Sequence, residues 1–121
     1  MRVIAGKYRG RTLKSPKHKG VRPTADRVKE ALFNIIGARI VGAAFLDLFA
    51  GTGAIGIEAI SRGAATVVFV DQNPLSVKLI HQNLELIEPN HNFTVLRLPF
   101  ERAIELLAEE KAYFDLIFLD P

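Results

Sequence analysis

The chain has 121 residues, no cysteine and a formal net charge of +3. This length suits one modest domain, and the lack of cysteine excludes disulfides, thiolate nucleophiles and cysteine zinc sites. Hydrophobic residues make up 49% and charged residues 24%, which is typical of a globular protein. No apolar run approaches the roughly 20 residues that cross a bilayer, and no signal-peptide pattern is visible. We therefore expect a cytoplasmic protein with no membrane partner.

Positive charge is concentrated at the start of the chain. Residues 1–29 hold ten Lys or Arg against the single acid Asp26, a net charge of +9, whereas the other 92 residues hold six bases and twelve acids, a net charge of −6. Such density is typical of segments that contact phosphate backbones, because each neutralised phosphate releases counterions. A solvated, partly disordered tail is the alternative. Weak basic and apolar alternation over residues 2–14 predicts a short basic hairpin rather than a structureless tail.

The first long element is a predicted helix after Thr24, with Pro23 just outside it and Gly37 as its stop. Its apolar positions share one face, which we expect to pack on a sheet. These positions are Val28, Ala31, Leu32, Ile35 and Ile36.

From residue 44 onward, predicted strands and helices alternate. This order is typical of an α/β fold with a parallel, doubly wound sheet. Apolar runs at residues 67–70 and 116–119 suit strands that are covered on both faces. The predicted strands are 44–49, 66–70, 93–98 and 114–119, and the predicted helices are 54–62, 74–87 and 100–110.

A glycine-rich turn follows the first strand. Gly51, Gly53 and Gly56 fit the dinucleotide fingerprint, in which missing side chains allow a tight turn and a close approach to the ligand. Asp47 lies near the end of the preceding buried strand, where a carboxylate is costly without a positive or hydrogen-bonding partner. The sulfonium and ammonium of S-adenosylmethionine could supply that partner, whereas the diphosphate of NAD would be repelled. The pattern favours a methyl donor, with a nicotinamide oxidoreductase as the alternative.

Two further strand ends carry candidate cofactor residues, because ligands of open parallel sheets bind beyond the carboxyl ends of the strands. Asp71 follows the second strand, where an acid can accept both ribose hydroxyls; capping of the helix that opens at Pro74 is the alternative. Pro99 and Phe100 follow the third strand, where an adenine could lie against apolar side chains, with core packing as the alternative.

The fourth strand ends at Asp120 and Pro121. Methylation of an exocyclic amine needs a lone pair that is freed from the ring, and an acceptor beside the N–H groups helps to localise it. Asp120 fits that role, although a turn-forming Asp-Pro is the alternative. Glu58 is expected to be solvated or to pack on its helix, with cofactor contact as the alternative. The histidines at 18, 81 and 91 lack metal-ligand spacing, so no metal site is predicted.

Three segments, 2–13, 22–35 and 47–53, carry a family resemblance. They read Arg-Val-Ile-Ala-Gly-Lys-Tyr-Arg-Gly-Arg-Thr-Leu, Arg-Pro-Thr-Ala-Asp-Arg-Val-Lys-Glu-Ala-Leu-Phe-Asn-Ile and Asp-Leu-Phe-Ala-Gly-Thr-Gly. The sequence thus resembles the bacterial methyltransferases that modify a guanine N2 in 16S ribosomal RNA.

The resemblance implies a Rossmann-like methyltransferase fold, S-adenosyl-L-methionine as cofactor with S-adenosyl-L-homocysteine as product, and 16S rRNA or a small-subunit assembly intermediate as partner. With the amine chemistry described above, we expect the catalytic residues to be Asp120 and Pro121. The expected RNA contacts are Lys7, Arg9, Arg11, Lys14 and Arg22. The expected cofactor residues are Asp47, Phe49, Ala50, Gly51, Thr52, Gly53, Asp71, Gln72, Asn73, Pro99 and Phe100.

Family members continue after the Asp-Pro pair with a second proline, an aromatic residue and further strands. We therefore expect a basic RNA-binding arm over residues 1–22 and, over residues 23–121, the N-terminal part of a methyltransferase domain that is incomplete at its C-terminus. The alternative is a noncatalytic RNA-binding or cofactor-binding fragment of such an enzyme.

Overall fold

The computed structural model describes residues 1–16, 23–87 and 92–121, apart from the side chains of residues 23, 24 and 92. The predicted RNA contact Arg22 and the histidines His18 and His91 lie outside the described residues. Within these three ranges, no helix combines the length and apolar character that a membrane crossing would need.

Four parallel strands form one sheet in the order β3-β2-β1-β4, which confirms the predicted α/β fold with a parallel, doubly wound sheet. A short 3-10 helix, Gly37–Ile40, joins the first helix to the first strand. The helices are α1 (Pro23–Ile36), α2 (Ala54–Ser61), α3 (Pro74–Ile87) and α4 (Phe100–Glu109). The strands are β1 (Ala44–Asp47), β2 (Thr66–Val70), β3 (Asn92–Leu96) and β4 (Leu116–Phe118).

The strand order reverses at β1. From β1 the chain adds β2 and β3 on one side and then returns to place β4 on the other side. In the register, Asp47 lies opposite Phe69 of β2 and Phe118 of β4. The switch point therefore lies between β1 and β4, and ligands of such sheets bind in the crevice at the carboxyl edge beside it.

Both faces of the sheet are covered by apolar side chains. On one face, Phe45 of β1 stacks with Phe33 of α1 at 6.3 Å between ring centroids, and α2 and α3 contribute Ile57 and Ile80 to the same cluster. On the other face, a smaller cluster joins the sheet to α4; its buried members are Leu46, Leu48, Val70, Ala103 and Leu107. Burial on both sides explains the continuous apolar run of β2, whereas Ile117 of β4 and Leu119 just after it are each 60% exposed, so the predicted cover of residues 116–119 on both faces was wrong.

The basic start of the chain forms the predicted hairpin, residues 2–14. Arg2 and Thr12 form an antiparallel bridge, and the Val3 amide donates to the Arg11 carbonyl at 2.9 Å. Val3, Tyr8 and Leu13 are buried in the same cluster as the sheet residues. The hairpin therefore shares its core with the sheet and helices, while the division at residue 22 stays a prediction.

The predicted apolar face of α1 was wrong in part. Val28 and Ile35 are 63% and 75% exposed, whereas Lys29 and Phe33 are buried. Residues four apart lie on one side of a helix, so Lys29 and Phe33 face the core in place of Val28 and Ile35. Leu32 and Ile36 pack against the core as predicted. A lysine is tolerated there because its Nζ donates to the Arg2 carbonyl at 2.6 Å and lies 3.4 Å from a Glu58 carboxylate oxygen.

Candidate active site

The glycine-rich loop between β1 and α2 forms one wall of the site. Gly51 and Gly53 have φ values of +57° and +85°, which favour glycine, and the Gly53 amide closes the turn on the Ala50 carbonyl at 2.8 Å. A Cβ on Gly56 would overlap the Phe69 ring, so this third glycine allows α2 to pack closely on β2. The loop thus presents backbone amides at the start of a helix, as nucleotide-binding loops do.

Asp47 is a buried acid beneath this loop. It is 1% exposed, and neither carboxylate oxygen has a hydrogen-bond partner within the described ranges. Burial raises the pKa of Asp47 to about 7, and the charges of Asp71 and Asp120 also raise it. The Gly56 and Phe49 amides point toward Asp47 and lower the pKa, although neither reaches hydrogen-bond geometry. A buried carboxyl without a partner is suited to a positive or hydrogen-bond-donating ligand.

Asp71 connects the two loops that follow β1 and β2. Its Oδ2 accepts from the Gly51 amide and its Oδ1 from the Asn73 amide, both at 2.9 Å. Asn73 itself caps α3, because its Oδ1 accepts from the Leu75 amide at 2.8 Å. Asp71 is therefore not the cap of α3, and its remaining lone pairs can accept hydroxyl groups at the partly exposed edge.

An aromatic pair lies along the same edge. Phe49 of the glycine loop and Phe100, the first residue of α4, have ring centroids 5.3 Å apart and planes tilted by 48°. Phe49 is half-buried, and Phe100 and the preceding Pro99 are exposed. The pair offers apolar surface to a flat heterocycle next to the ends of β1 and β3.

The Asp120 cleft is a concavity of about 580 Å³ at the point where the strand order reverses. It brings together four of the predicted site residues, Phe49, Ala50, Thr52 and Asp120. Val28 and Leu32 of α1 and Phe118 and Leu119 at the end of β4 complete much of its apolar wall. Among the described residues, the cleft lining does not include Asp47, Gly51, Gly53, Asp71, Gln72, Asn73, Pro99, Phe100 or Pro121.

Glu58, which the sequence interpretation expected to be solvated or to pack on its helix, is not solvated. It is 0% exposed, and its carboxylate accepts from the Ile4 and Ala5 amides at 2.9 and 3.1 Å. It also accepts from Arg62 Nε at 2.7 Å. Burial lowers the pKa of Lys29, and the neighbouring Glu58 charge opposes that change. Glu58 therefore holds the hairpin, α1 and α2 together.

Two more polar residues hold the hairpin. Ser61 Oγ accepts from the Tyr8 amide at 3.0 Å and donates to the Ala5 carbonyl at 2.6 Å. Asn83 accepts from the Lys14 amide at 2.6 Å and donates to the carbonyls of Lys14 and Thr52 at 3.0 and 2.9 Å. Asn83 thus joins the hairpin to the glycine loop.

The basic side chains of the hairpin remain at the surface. Lys7, Arg9, Arg11 and Lys14 are exposed, as an RNA-contacting role requires. Arg11 also donates from Nη1 to the Leu86 carbonyl of α3 at 2.8 Å, which fixes its direction.

The doubly wound sheet, the glycine loop after β1 and the acids at the ends of β1 and β2 define the fold of S-adenosylmethionine-dependent methyltransferases. The chain belongs to the family described as "Conserved hypothetical protein 95", whose model matches residues 1–121. This is the rRNA methyltransferase family, so the predicted family is confirmed.

Relatives of this chain are named as rRNA methyltransferases. The chain is 44% identical to the Bacillus subtilis "Putative rRNA methyltransferase YlbH", covering 100% of this chain and 66% of that protein. It is 37% identical to ribosomal RNA small subunit methyltransferase D of Escherichia coli K12, covering 100% and 59%. A solved structure, "Putative methyltransferase yhhF from Escherichia coli", superposes with a TM-score of 0.83 at 38% identity, covering 100% and 64%. The chain thus spans about three fifths to two thirds of these proteins' lengths.

Proposed function

We propose that the protein transfers a methyl group from S-adenosyl-L-methionine to the exocyclic N2 amine of a guanine in 16S rRNA, either in the free RNA or in a small-subunit assembly intermediate. One observation carries the proposal: the glycine loop and Asp120 line a single cleft at the reversal of strand order. The names of the relatives support an rRNA substrate.

The residues at the carboxyl edge fit the proposed cofactor. Asp47 has an unpartnered buried carboxyl, which suits the positive methionine part of the cofactor. In the loop from Phe49 to Gly53, the amides of Ala50, Gly51 and Gly53 already donate within the protein, so the Thr52 amide and the start of α2 are the donors that suit its carboxylate. Asp71, with Gln72 and Asn73 beside it, suits the ribose hydroxyls. Phe100 and Pro99 offer apolar surface for the adenine. When bound, the cofactor supplies an electrophilic methyl group on a sulfonium.

Asp120 is proposed to act on the amine that receives the methyl group. It is exposed at the end of β4 and lines the Asp120 cleft. Its carboxylate can accept an N–H of the amine, which directs the nitrogen lone pair out of conjugation with the ring. The amine can release its proton during or after the transfer, so no strong base is needed. Pro121 disfavours a helical backbone at Asp120 and so keeps the strand end extended.

The target base must leave its stack to reach a methyl group in this cleft. RNA phosphates are proposed to contact the exposed basic side chains of the hairpin, which are Lys7, Arg9, Arg11 and Lys14. Arg22, which lies outside the described residues, is proposed to do the same. Their positive charge would draw the RNA toward the face of the domain that carries the hairpin.

Two measurements test the proposal. Calorimetric titration should show saturable binding of S-adenosylhomocysteine and none of NADH; binding of NADH alone would refute the interpretation of Asp47. Transfer of tritiated methyl groups to undermethylated 16S rRNA and small-subunit particles then tests the substrate.

Asp120→Ala should bind S-adenosylhomocysteine normally but transfer methyl roughly 10² to 10⁴ times more slowly. Glu109→Ala removes a comparable exposed acid from the end of α4 and should transfer normally. Normal transfer by Asp120→Ala would exclude the proposed role.

A further inference from the structure

A second concavity, the arginine pocket, lies between the hairpin and α1. Its volume is about 750 Å³, within the range of roughly 300 to 1,000 Å³ that is typical of small-ligand sites. Its charged lining comes from both elements: Arg2 and Arg9 from the hairpin, and Asp26, Arg27 and Glu30 from α1. The pocket therefore combines three guanidinium groups with two carboxylates.

The arginine pocket adjoins the Asp120 cleft. Met1 and Asp26 line both concavities, so they form a shared wall between the two. Oδ1 of Asp26 is buried there without a hydrogen-bond partner among the described residues. A chain that entered one concavity could therefore continue into the other across this wall.

The backbone around the arginine pocket is held in place. The Arg2 carbonyl accepts from buried Lys29 Nζ at 2.6 Å, and Arg2 pairs with Thr12 across the hairpin. Val3, the next residue, is buried in the core. Because these contacts fix the backbone at Arg2 relative to α1, Arg2 and Arg27 are carried on elements that keep their spacing without a ligand.

The chemistry of this lining matches one nucleotide of single-stranded RNA. Guanidinium groups bind phosphate through two parallel hydrogen bonds and also stack on bases. Carboxylates accept hydrogen bonds from base amino groups and from the ribose 2′-hydroxyl. An apolar ligand or a small anion alone would use only part of this set.

We propose that the arginine pocket binds a nucleotide of the substrate RNA next to the target guanine, with Arg2, Arg9 and Arg27 on its phosphates. The inference rests on the proposed function and deepens it by defining the path of the RNA. Arg2 and Arg27 lie outside the RNA contacts that the sequence predicts. The other side of the hairpin lies toward α3, where Arg11 donates to Leu86 and Lys14 is bonded to Asn83.

The first test fills the pocket without changing its charge. Thr12 is exposed and lines the arginine pocket, and Thr12→Trp places a bulky residue there in a conformation that aromatic residues favour. Thr94→Trp makes the same change on exposed Thr94 of β3, away from both concavities. Binding is measured by the fluorescence anisotropy of a fluorescein-labelled single-stranded RNA of mixed sequence. Thr12→Trp should bind about tenfold more weakly, a loss of roughly 1.4 kcal/mol, with Thr94→Trp unchanged. Equal binding by the two variants would overturn the proposal.

The second test removes charge and remains informative if Thr12→Trp does not fold. Arg2→Ala/Arg27→Ala should reduce the slope of log affinity against log salt by about 1.4, since each phosphate contact on a single strand contributes about 0.7. An unchanged slope would overturn the proposal that the arginine pocket binds RNA. Lys7→Ala/Lys14→Ala tests the hairpin itself. If only Lys7→Ala/Lys14→Ala weakens RNA binding, the proposal for the arginine pocket is wrong and the RNA-binding role of the hairpin stands. If neither double variant weakens RNA binding, both proposals are wrong. Binding of S-adenosylhomocysteine tests the cofactor site separately.

Discussion

Replacement of Glu58 by alanine should destabilise the whole domain. The change leaves the Ile4 and Ala5 amides without their acceptor and removes the negative charge beside Lys29 and Arg62. Breaking a buried ion pair from one side costs about 3 to 5 kcal/mol, because the remaining charge stays buried without compensation. A domain of this kind is stable by only about 5 to 15 kcal/mol, so the loss is a large fraction of its stability.

Urea unfolding followed by circular dichroism measures this effect. With a denaturant slope of about 2 kcal/mol per molar, the unfolding midpoint of Glu58→Ala should fall by roughly 2 M. Glu105→Ala breaks the exposed ion pair to Arg102 and should change the free energy of unfolding by less than about 1 kcal/mol. Trypsin should also cleave after Arg9 faster in Glu58→Ala, since the hairpin loses part of its attachment. Equal midpoints and equal cleavage rates in the two variants would refute the structural role of Glu58.

Three further changes test the site. The pKa of Asp47 is 3.8 in the unfolded chain and about 7 in the folded protein. Between these pH values only the folded state holds a proton on the Asp47 carboxyl, so the free energy of unfolding falls as pH rises. Asp47→Asn should remove this loss, so its gain in free energy of unfolding over wild type, followed by thermal unfolding, should grow across that window toward an upper limit of roughly 4 kcal/mol; a gain independent of pH would contradict the assignment. Asp71→Ala should weaken S-adenosylhomocysteine binding by calorimetry roughly tenfold to a hundredfold, since charged hydrogen bonds are lost; wild-type affinity would exclude the ribose role. Gly56→Ala should cost about 1 to 3 kcal/mol in urea unfolding because its Cβ overlaps Phe69; an unchanged midpoint would show that α2 can shift freely.

The sheet could be predicted because each strand is a short apolar run between turn signals. The carboxyl edge followed from the order of elements, since parallel strands bring Asp47, Asp71 and Asp120 to one side of the sheet whatever the details of packing. The cap of α3 rests on a local pattern, because Asn73 directly before Pro74 satisfies the first amides of the helix.

Contacts between distant segments were beyond sequence reasoning. The partners of Glu58 are the amides of Ile4 and Ala5, and backbone amides carry no residue-specific signal. The burial of Lys29 in place of Val28 depends on that same carboxylate, so the α1 prediction failed for the same reason. Glu58 is the one charged residue of α2, and this was the sequence sign that it has a buried partner.

The attachment of the hairpin has a practical consequence for deletion experiments. Residues 1–14 supply Val3, Tyr8 and Leu13 to the core, and Glu58, Ser61 and Asn83 satisfy the hairpin backbone. A shortened chain that lacked this segment would remove the hairpin partners of these three buried polar side chains and would open an apolar surface to water. Loss of RNA binding in such a deletion would report a damaged scaffold, so only substitutions of exposed side chains can separate recognition from folding.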